Sequence, residues 1–300
     1  MWMTLWKSAT ALNPKDPRSR GGASTTGHRC ANVIVVRVMT WNLWWRFGEP
    51  ERRRAAILAV LREQQPDLVG LQEVWADGDE NLAGWLAGEL GLHWAFGAAS
   101  DQESWRIRVD GGPDLRNGVA VLSRWPIRTD KAYDLPGDRS RAALSVLVDA
   151  PHATIAVVTA HLSVLSGSAG RSAQLDWLAR HVAGLPAHEH PPVVIGDFNA
   201  MPDSDEMRRF AGALTVPSVP GQVMLDAWWF ADPGDPGFTW DRANPHAAAW
   251  VAPSGRIDYI HVLQSAHRAG RVLGVHRAGT AAVDGVWPTD HAAVVADLSD

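Results

Sequence analysis

Eight apolar runs rich in β-branched residues mark out this chain: Val33–Trp41, Asp67–Val74, Asn117–Ser123, Ala142–Val148, Ala153–His161, Pro192–Asp197, Ile257–Leu263 and Ala292–Leu298. Most are bounded by Gly, Pro, Asp or Asn, and their length suits buried strands. Helical patterns lie between some of them. Glu51–Gln65 sets Ile57, Leu58 and Leu61 on one stripe opposite a charged face, with Pro50 near its start and Pro66 as its stop. Further helices are predicted over Asp79–Leu90, over Arg171–Ala183 with Leu175, Leu178 and Val182 on one face, and over Ser204–Ala211. Strands outnumber helices, do not alternate with them regularly and form no repeat. The pattern predicts a largely antiparallel two-sheet core with helices outside, not a doubly wound parallel sheet.

Three hundred residues, 46% hydrophobic and 20% charged, suffice for one large domain with a sizeable core. No Pro/Gly/Ser-rich linker divides its middle. Residues 1–32 are rich in Ser, Gly, Arg and Pro without periodicity. They are expected to be a disordered extension, produced by a start codon placed too early, ahead of a globular domain spanning 33–300 that begins near Val33. They lack the continuous apolar block of a signal peptide. No later stretch has the roughly 18 consecutive apolar residues of a spanning helix. The single cysteine, Cys30, excludes an intramolecular disulfide and a Cys-cluster metal site. A monomer in a reducing cytoplasm is the expectation. The net charge of −5 argues against a dedicated binder of long nucleic acid, whose surface is usually basic.

Polar residues recur where these strands end or begin. Asn42 follows the first run, Glu73 closes the second, His161 closes IAVVTAH and Asp197 closes PVVIGD. Asp258 stands early in RIDYIHV, and Asp290-His291 directly precede AAVVADL. In an antiparallel arrangement the end of one strand and the beginning of its neighbour share a rim, so these groups can converge on one edge of the sandwich. Singly, Asn42, Asp197 and Asn199 read as turn formers or caps, and His161 and His291 as structural histidines. Glu73 is harder to dismiss, because a carboxylate directly after an apolar run is costly unless exposed, paired or metal-bound. Together they point to chemistry.

Carboxylates and a carboxamide, with neither a cysteine cluster nor clustered histidines, suit a hard cation such as Mg²⁺, with Mn²⁺ as the alternative. His161 and His291 are then free for proton transfer or phosphate contacts, and Asp258 can fix the tautomer of an imidazole beside it. The inventory fits metal-assisted attack of water on a phosphate ester. Within GDFN, Asp197 and Asn199 lie two apart on what reads as an extended strand end. They are expected to project to one side, with Phe198 turned into the core.

The stretches TWNLW (Thr40–Trp44), LQEVW (Leu71–Trp75), NGVAVLSRWPI (Asn117–Ile127), TAHLS (Thr159–Ser163), GDFNAMPDS (Gly196–Ser204), GFTWD (Gly237–Asp241), RIDYIHV (Arg256–Val262) and PTDHAAV (Pro288–Val294) occur in this order. In them the chain resembles the endonuclease/exonuclease/phosphatase superfamily. That superfamily includes pancreatic-type deoxyribonucleases, abasic-site endonucleases, neutral sphingomyelinases and inositol polyphosphate 5-phosphatases. The resemblance implies an α/β fold, a four-layer αββα sandwich of two mostly antiparallel sheets flanked by helices, with the site at one end of the sheets. It further implies that Glu73 is the principal Mg²⁺ ligand, with Asn42 and Asp290 close to the metal or its waters. Asp197 would orient or deprotonate the attacking water, and Asn199 would hold the phosphate or that water. His291, oriented by Asp258, would contact a phosphoryl oxygen or serve as the base. His161 would stabilise developing charge or help protonate the leaving oxygen. The His161-Leu162 step is similar to the deoxyribonuclease, sphingomyelinase and 5-phosphatase branches.

Arg139 and Arg141 lead into a strand, and guanidinium forks suit phosphate; Asn117 opens another strand near the expected site. Trp44, Trp45, Trp228, Trp229, Trp240 and Trp250 can stack a base, line a lipid headgroup site or fill core. The acidic balance favours a phosphodiesterase acting on a small or lipid-like substrate. Sparse cations over residues 203–252, where only Arg208, Arg209 and Arg242 occur, favour it too. A DNA or RNA nuclease, with nucleic acid as partner, is the alternative. A catalytically silent binding module would show a lost metal or base residue, and every expected position is filled.

Overall fold

The computed structural model describes residues 35–109, 111–266 and 269–300, so the expected extension and the start near Val33 lie outside the described residues. Along the chain run β1 (Val35–Asn42), α1 (Pro50–Gln64), β2 (Leu68–Asp77), β3 (Glu80–Asn81), α2 (Leu82–Leu90), β4 (His93–Ala98), α3 (Glu103–Arg106) and β5 (Arg116–Ser123). They are followed by β6 (Ile127–Leu135), β7 (Asp138–Asp149), β8 (Thr154–His161), α4 (Gly167–Ala183), β9 (Val193–Asp197) and α5 (Asp205–Ala211). The last elements are β10 (Met224–Asp226), a 3₁₀ turn at Ala227–Phe230, α6 (Pro245–Ala248), β11 (Asp258–Leu263), β12 (Val272–Ala278) and β13 (Ala293–Ser299). All eight predicted strands form. The helix predicted from Asp79 starts at Leu82 instead, because the Asn81 side chain accepts the amides of Ala83 and Gly84 and caps it there.

Two sheets carry the fold. The first has the order β12-β13-β1-β2-β5-β4, with β3 added on β2, and the second the order β10-β11-β9-β8-β7-β6. Pairing is antiparallel except at β1·β2 and β8·β9, which are parallel. Alternate residues of one strand serve two cores. Val36 and Val38 of β1 face the space between the sheets, packed with Val157, Ile195 and Ile260, while Met39 and Trp41 face outward against Ile57 and Leu61 of α1 and Leu86 of α2. On the other outer face Leu175, Leu178 and Val182 of α4 and Met207 and Phe210 of α5 cover Val158, Val194 and Tyr259. Helix, sheet, sheet and helix thus make four layers. Burial on both faces is why the central strands read as continuous apolar runs.

Candidate active site

The pairing scheme brings the strand ends together. Parallel β1 and β2 end side by side, with Asn42 opposite Gln72, and parallel β8 and β9 end with His161 opposite Asp197. Antiparallel β11 begins where β9 ends, so Asp258 pairs with Asp197. Asp290 and His291 precede β13, whose Val294 lies opposite Thr40 of β1. The shared rim expected from antiparallel strands is therefore built half from parallel pairs.

Glu73 reaches that rim through a bulge. Strict alternation would send it outward with Leu71 toward the helices. Instead the β2·β5 register slips between Leu71 and Val74, and Glu73 takes a left-handed φ of 52°. Gln72, fully buried, uses its amide to donate to Thr40 Oγ1 (3.1 Å) and to Thr159 Oγ1 (3.0 Å) on the facing sheet. The bulge is pinned to both sheets beneath the rim.

Asp197 is the hub. Its Oδ2 accepts from Asn42 Nδ2 at 2.9 Å and lies 3.5 Å from His161 Nε2 and 3.9 Å from His291 Nε2, while its Oδ1 accepts the Asn199 amide at 2.9 Å. His291 Nδ1 pairs with Asp258 Oδ2 at 2.8 Å. Glu73 Oε1 stands 3.9 Å from His161 Nε2, and its Oε2 is buried with no hydrogen-bond partner among the described residues. Thr289 ties the segment before β13 to the end of β1 by donating its hydroxyl to the Asn42 carbonyl at 2.8 Å.

Burial sets the charges. It pushes the Asp197 carboxyl up to about 6, with the Asp258 charge adding to the effect. It pushes Asp290 up to about 7, and Glu73 upward as well. For His291, burial works downward, but Asp258 and Asp290 outweigh it and hold the ring well above the usual imidazole range. His161 goes the other way, well below that range, through burial and the neighbouring Arg141 charge. Arg141 Nη1 lies 2.8 Å from His161 Nδ1, and a guanidinium only donates. The same Nη1 lies 2.5 Å from His161 Nε2, so the guanidinium sits against both ring nitrogens and faces a neutral imidazole, whose acceptor is the lone pair of one or the other according to tautomer.

The other sequence-derived candidates divide. Arg141 is buried in the cluster, its guanidinium 5.0 Å from the Trp105 ring and its Nε without a partner among the described residues. Arg139 stays outside, 74% exposed at its side chain, with Nε donating to Ser100 Oγ at 3.0 Å. Asn117 sits opposite Trp75, near the bulge, with its Nδ2 buried and unpartnered among the described residues. Asn199 does not continue the strand as expected. Its φ is 49°, and its Nδ2 turns to the Leu162 carbonyl at 2.9 Å because β9 has already ended at Asp197. Phe198 does enter the core, fully buried against Phe210 and Tyr259. Trp45 is buried core, whereas Trp44, half-buried, packs on the His246 ring at 4.4 Å and carries the Arg53 guanidinium at 5.0 Å. Trp240 meets His291 edge to face at 5.0 Å.

Two cations escaped the sequence reading. Arg108 stacks on Trp105 at 4.7 Å, and its charge reaches His161 and Arg141. Arg53 projects from α1 with 3% exposure, and burial lowers its guanidinium to about 10. Its signal was present. Arg53 falls on the buried stripe of α1 with Ile57, Val60 and Leu61, and a cation there needs a polar destination.

The donor set fits a hard cation. Glu73 presents an oxygen without a partner among the described residues, its charge helps to raise the Asp290 carboxyl, and Asn42 closes the same rim. A second grouping, Asp197, Asp258 and His291, has one donor from each within 4.8 Å of the others. There Asp258 and His291 already satisfy each other at 2.8 Å, which makes them an acid–imidazole pair before they are ligands.

Fold and site define a class first: a four-layer α/β sandwich with a buried acid–imidazole cluster at one end of its sheets. The chain belongs to the Endonuclease/Exonuclease/phosphatase family, whose model matches residues 39–295. Members of that family are hydrolases acting on phosphoesters and are generally metal-dependent. Among solved structures the chain is similar to an endonuclease/exonuclease/phosphatase from Beutenbergia cavernae DSM 12333 (24% identity, 88% of this chain and 71% of that one, TM-score 0.63). It is also similar to D. rerio TDP2 complexed with a single-strand DNA product (20% identity, 89% and 99%, TM-score 0.67). A third is the human Nocturnin catalytic domain with bound sulfate anion (22% identity, 88% and 94%, TM-score 0.65). At these identities the likeness establishes the fold. No curated protein matches the sequence. Among the described residues no helix is long and apolar enough to cross a membrane.

Proposed function

We propose that this protein is a Mg²⁺-dependent phosphodiesterase that hydrolyses a small or lipid-like phosphoester by in-line attack of water. The observation that carries the reading is the hub at Asp197, whose Oδ2 lies within 3.9 Å of Asn42, His161 and His291 in a buried, oxygen-rich rim. Glu73, Asn42 and Asp290 would hold the cation, which when bound supplies Lewis-acid polarisation of the phosphoryl oxygen and neutralises charge there.

The chain's own residues do the rest. A carboxylate raised to about 6 is matched to accepting a proton from water near neutral pH, so Asp197 is the general base. Asn42 holds one of its oxygens by a 2.9 Å bond and the Asn199 amide holds the other, so the carboxylate cannot swing away. His291, kept cationic by Asp258, donates from Nε2 to a phosphoryl oxygen. Arg141 carries charge beside a neutral His161, and the pair would stabilise the charge that develops on the leaving oxygen. Asn117 and Asn199 contribute polar contacts to the phosphate at the rim.

The small-substrate preference rests on the same segment that favoured it in the sequence. Arg209 is spent on Asp176, and Arg242 donates to the Trp250 and Ala252 carbonyls, which takes both away from a phosphate backbone. A nuclease reading is favoured by one feature, the paired Arg108 and Arg141 beside His161, which could grip a second phosphate. The deciding experiment is a panel of phosphodiesters and phosphomonoesters with Mg²⁺, with Mn²⁺ and with chelator. Release of phosphocholine or a small phosphate ester supports the proposal, plasmid nicking supports the nuclease reading, and no hydrolysis with any substrate defeats both.

A further inference from the structure

Arg53 is a buried cation that the reaction does not use directly. A guanidinium has five N–H donors, and each can be matched here to a backbone carbonyl. Nε donates to Phe47 O (3.1 Å), Nη1 to Leu43 O (2.8 Å) and Pro288 O (3.0 Å), and Nη2 to Trp44 O (3.1 Å) and Trp45 O (2.8 Å). Four of the acceptors belong to the turn that follows Asn42. The fifth lies two residues before Asp290.

Successive carbonyls of an extended chain point in opposite directions and cannot converge on one cation. They converge here because Trp44 and Trp45 both take left-handed backbone, at φ 57° and 38°. Non-glycine residues adopt that conformation at a cost and hold it only where the surroundings over-determine it. Arg53 supplies that determination from below, and its guanidinium also lies 5.0 Å from the Trp44 ring. Among the described residues the charge is not neutralised by a direct carboxylate partner; Asp290 and Glu73 act on it through space.

We infer that Arg53 is a positioning residue that locks the 43–47 turn to the 288–290 segment and so fixes the spacing of Asn42 and Asp290 around the proposed cation. The metal role rests on the phosphoesterase reading; the lock itself does not. Lysine keeps the charge but has only three donors on a point-like head, so it cannot hold five carbonyls.

Hydrogen exchange on the metal-free full-length protein tests the lock. In Arg53→Lys and Arg53→Met, amide exchange should rise about tenfold or more in 43–48 and 286–292 together, while α4 stays protected. A rise in only one segment, in neither, or uniformly through α4 overturns the lock. Arg53→Lys decides the matter where Arg53→Met does not fold. Mn²⁺ binding to the same proteins, read by calorimetry, should weaken about 10–100-fold, the usual consequence of losing a group that orients metal ligands. Unchanged Mn²⁺ affinity with both segments loosened overturns the positioning role. Wild-type protein that binds no Mn²⁺ and hydrolyses nothing defeats the phosphoesterase reading instead, and the exchange result stands apart from it.

Discussion

Glu73 and Asp197 show how single residues trade stability for chemistry. Burial raises both carboxyls, so the folded protein resists ionising them. Glu73→Gln keeps the shape and removes the charge. It should cut metal-dependent hydrolysis by about 100-fold or more while leaving the melting temperature of the metal-free protein unchanged or higher. A lower melting temperature with activity retained would count against Glu73 as a ligand. Asp197→Asn should abolish activity without loss of fold, and its pH–rate profile, if any activity persists, should lose the limb near pH 6 that Asp197 is expected to supply. The need for Glu73 to be exposed, paired or ligated was legible from its place after an apolar run. That it would turn on a bulge was not, because the two-against-one count depends on which residues of β5 lie opposite.

The four strands that sequence patterning missed at the sheet ends, β4, β6, β10 and β12, are the four edges. An edge strand pairs on one side only and leaves much of its surface to water, so it needs no apolar run; β6 is exposed at most of its positions. Central strands are constrained from both faces and announce themselves. Between those faces, Gly70 of β2 leaves no room for a side chain. A Cβ there would stand 2.7 Å from Ile195 Cγ1 and 2.9 Å from Thr159 Oγ1. Those residues belong to the strands that end in Asp197 and His161. Gly70→Ala should therefore destabilise the protein by about 1–3 kcal/mol, measured by urea unfolding. Activity should fall further than the remaining folded fraction explains, since the wedge lies beneath the rim.

At the scale of the whole molecule, pH acts on the core as well as the site. His261, 1% exposed and stacked on Phe198, is lowered from 6.5 to about 4 by burial. Between those values the unfolded chain binds a proton that the folded chain refuses, so stability rises with pH through this window and is lost as pH falls from about 6.5 to about 4. The loss amounts to roughly 3 kcal/mol. His261→Phe should remove it, so that urea-unfolding curves of wild type and variant diverge between pH 7 and pH 4; parallel curves would mean that His261 is not held neutral. The sequence by itself determined a two-sheet core with helices outside and the identity of the polar residues at the rim, because two-sided burial and strand punctuation are local patterns written into each run, while the four layers were implied by the family resemblance. Register, the Glu73 bulge, the return of Asn199 to Leu162 and the five-carbonyl seat of Arg53 were decided only by tertiary structure. Each depends on which distant backbone group lies opposite, and no local spacing encodes that.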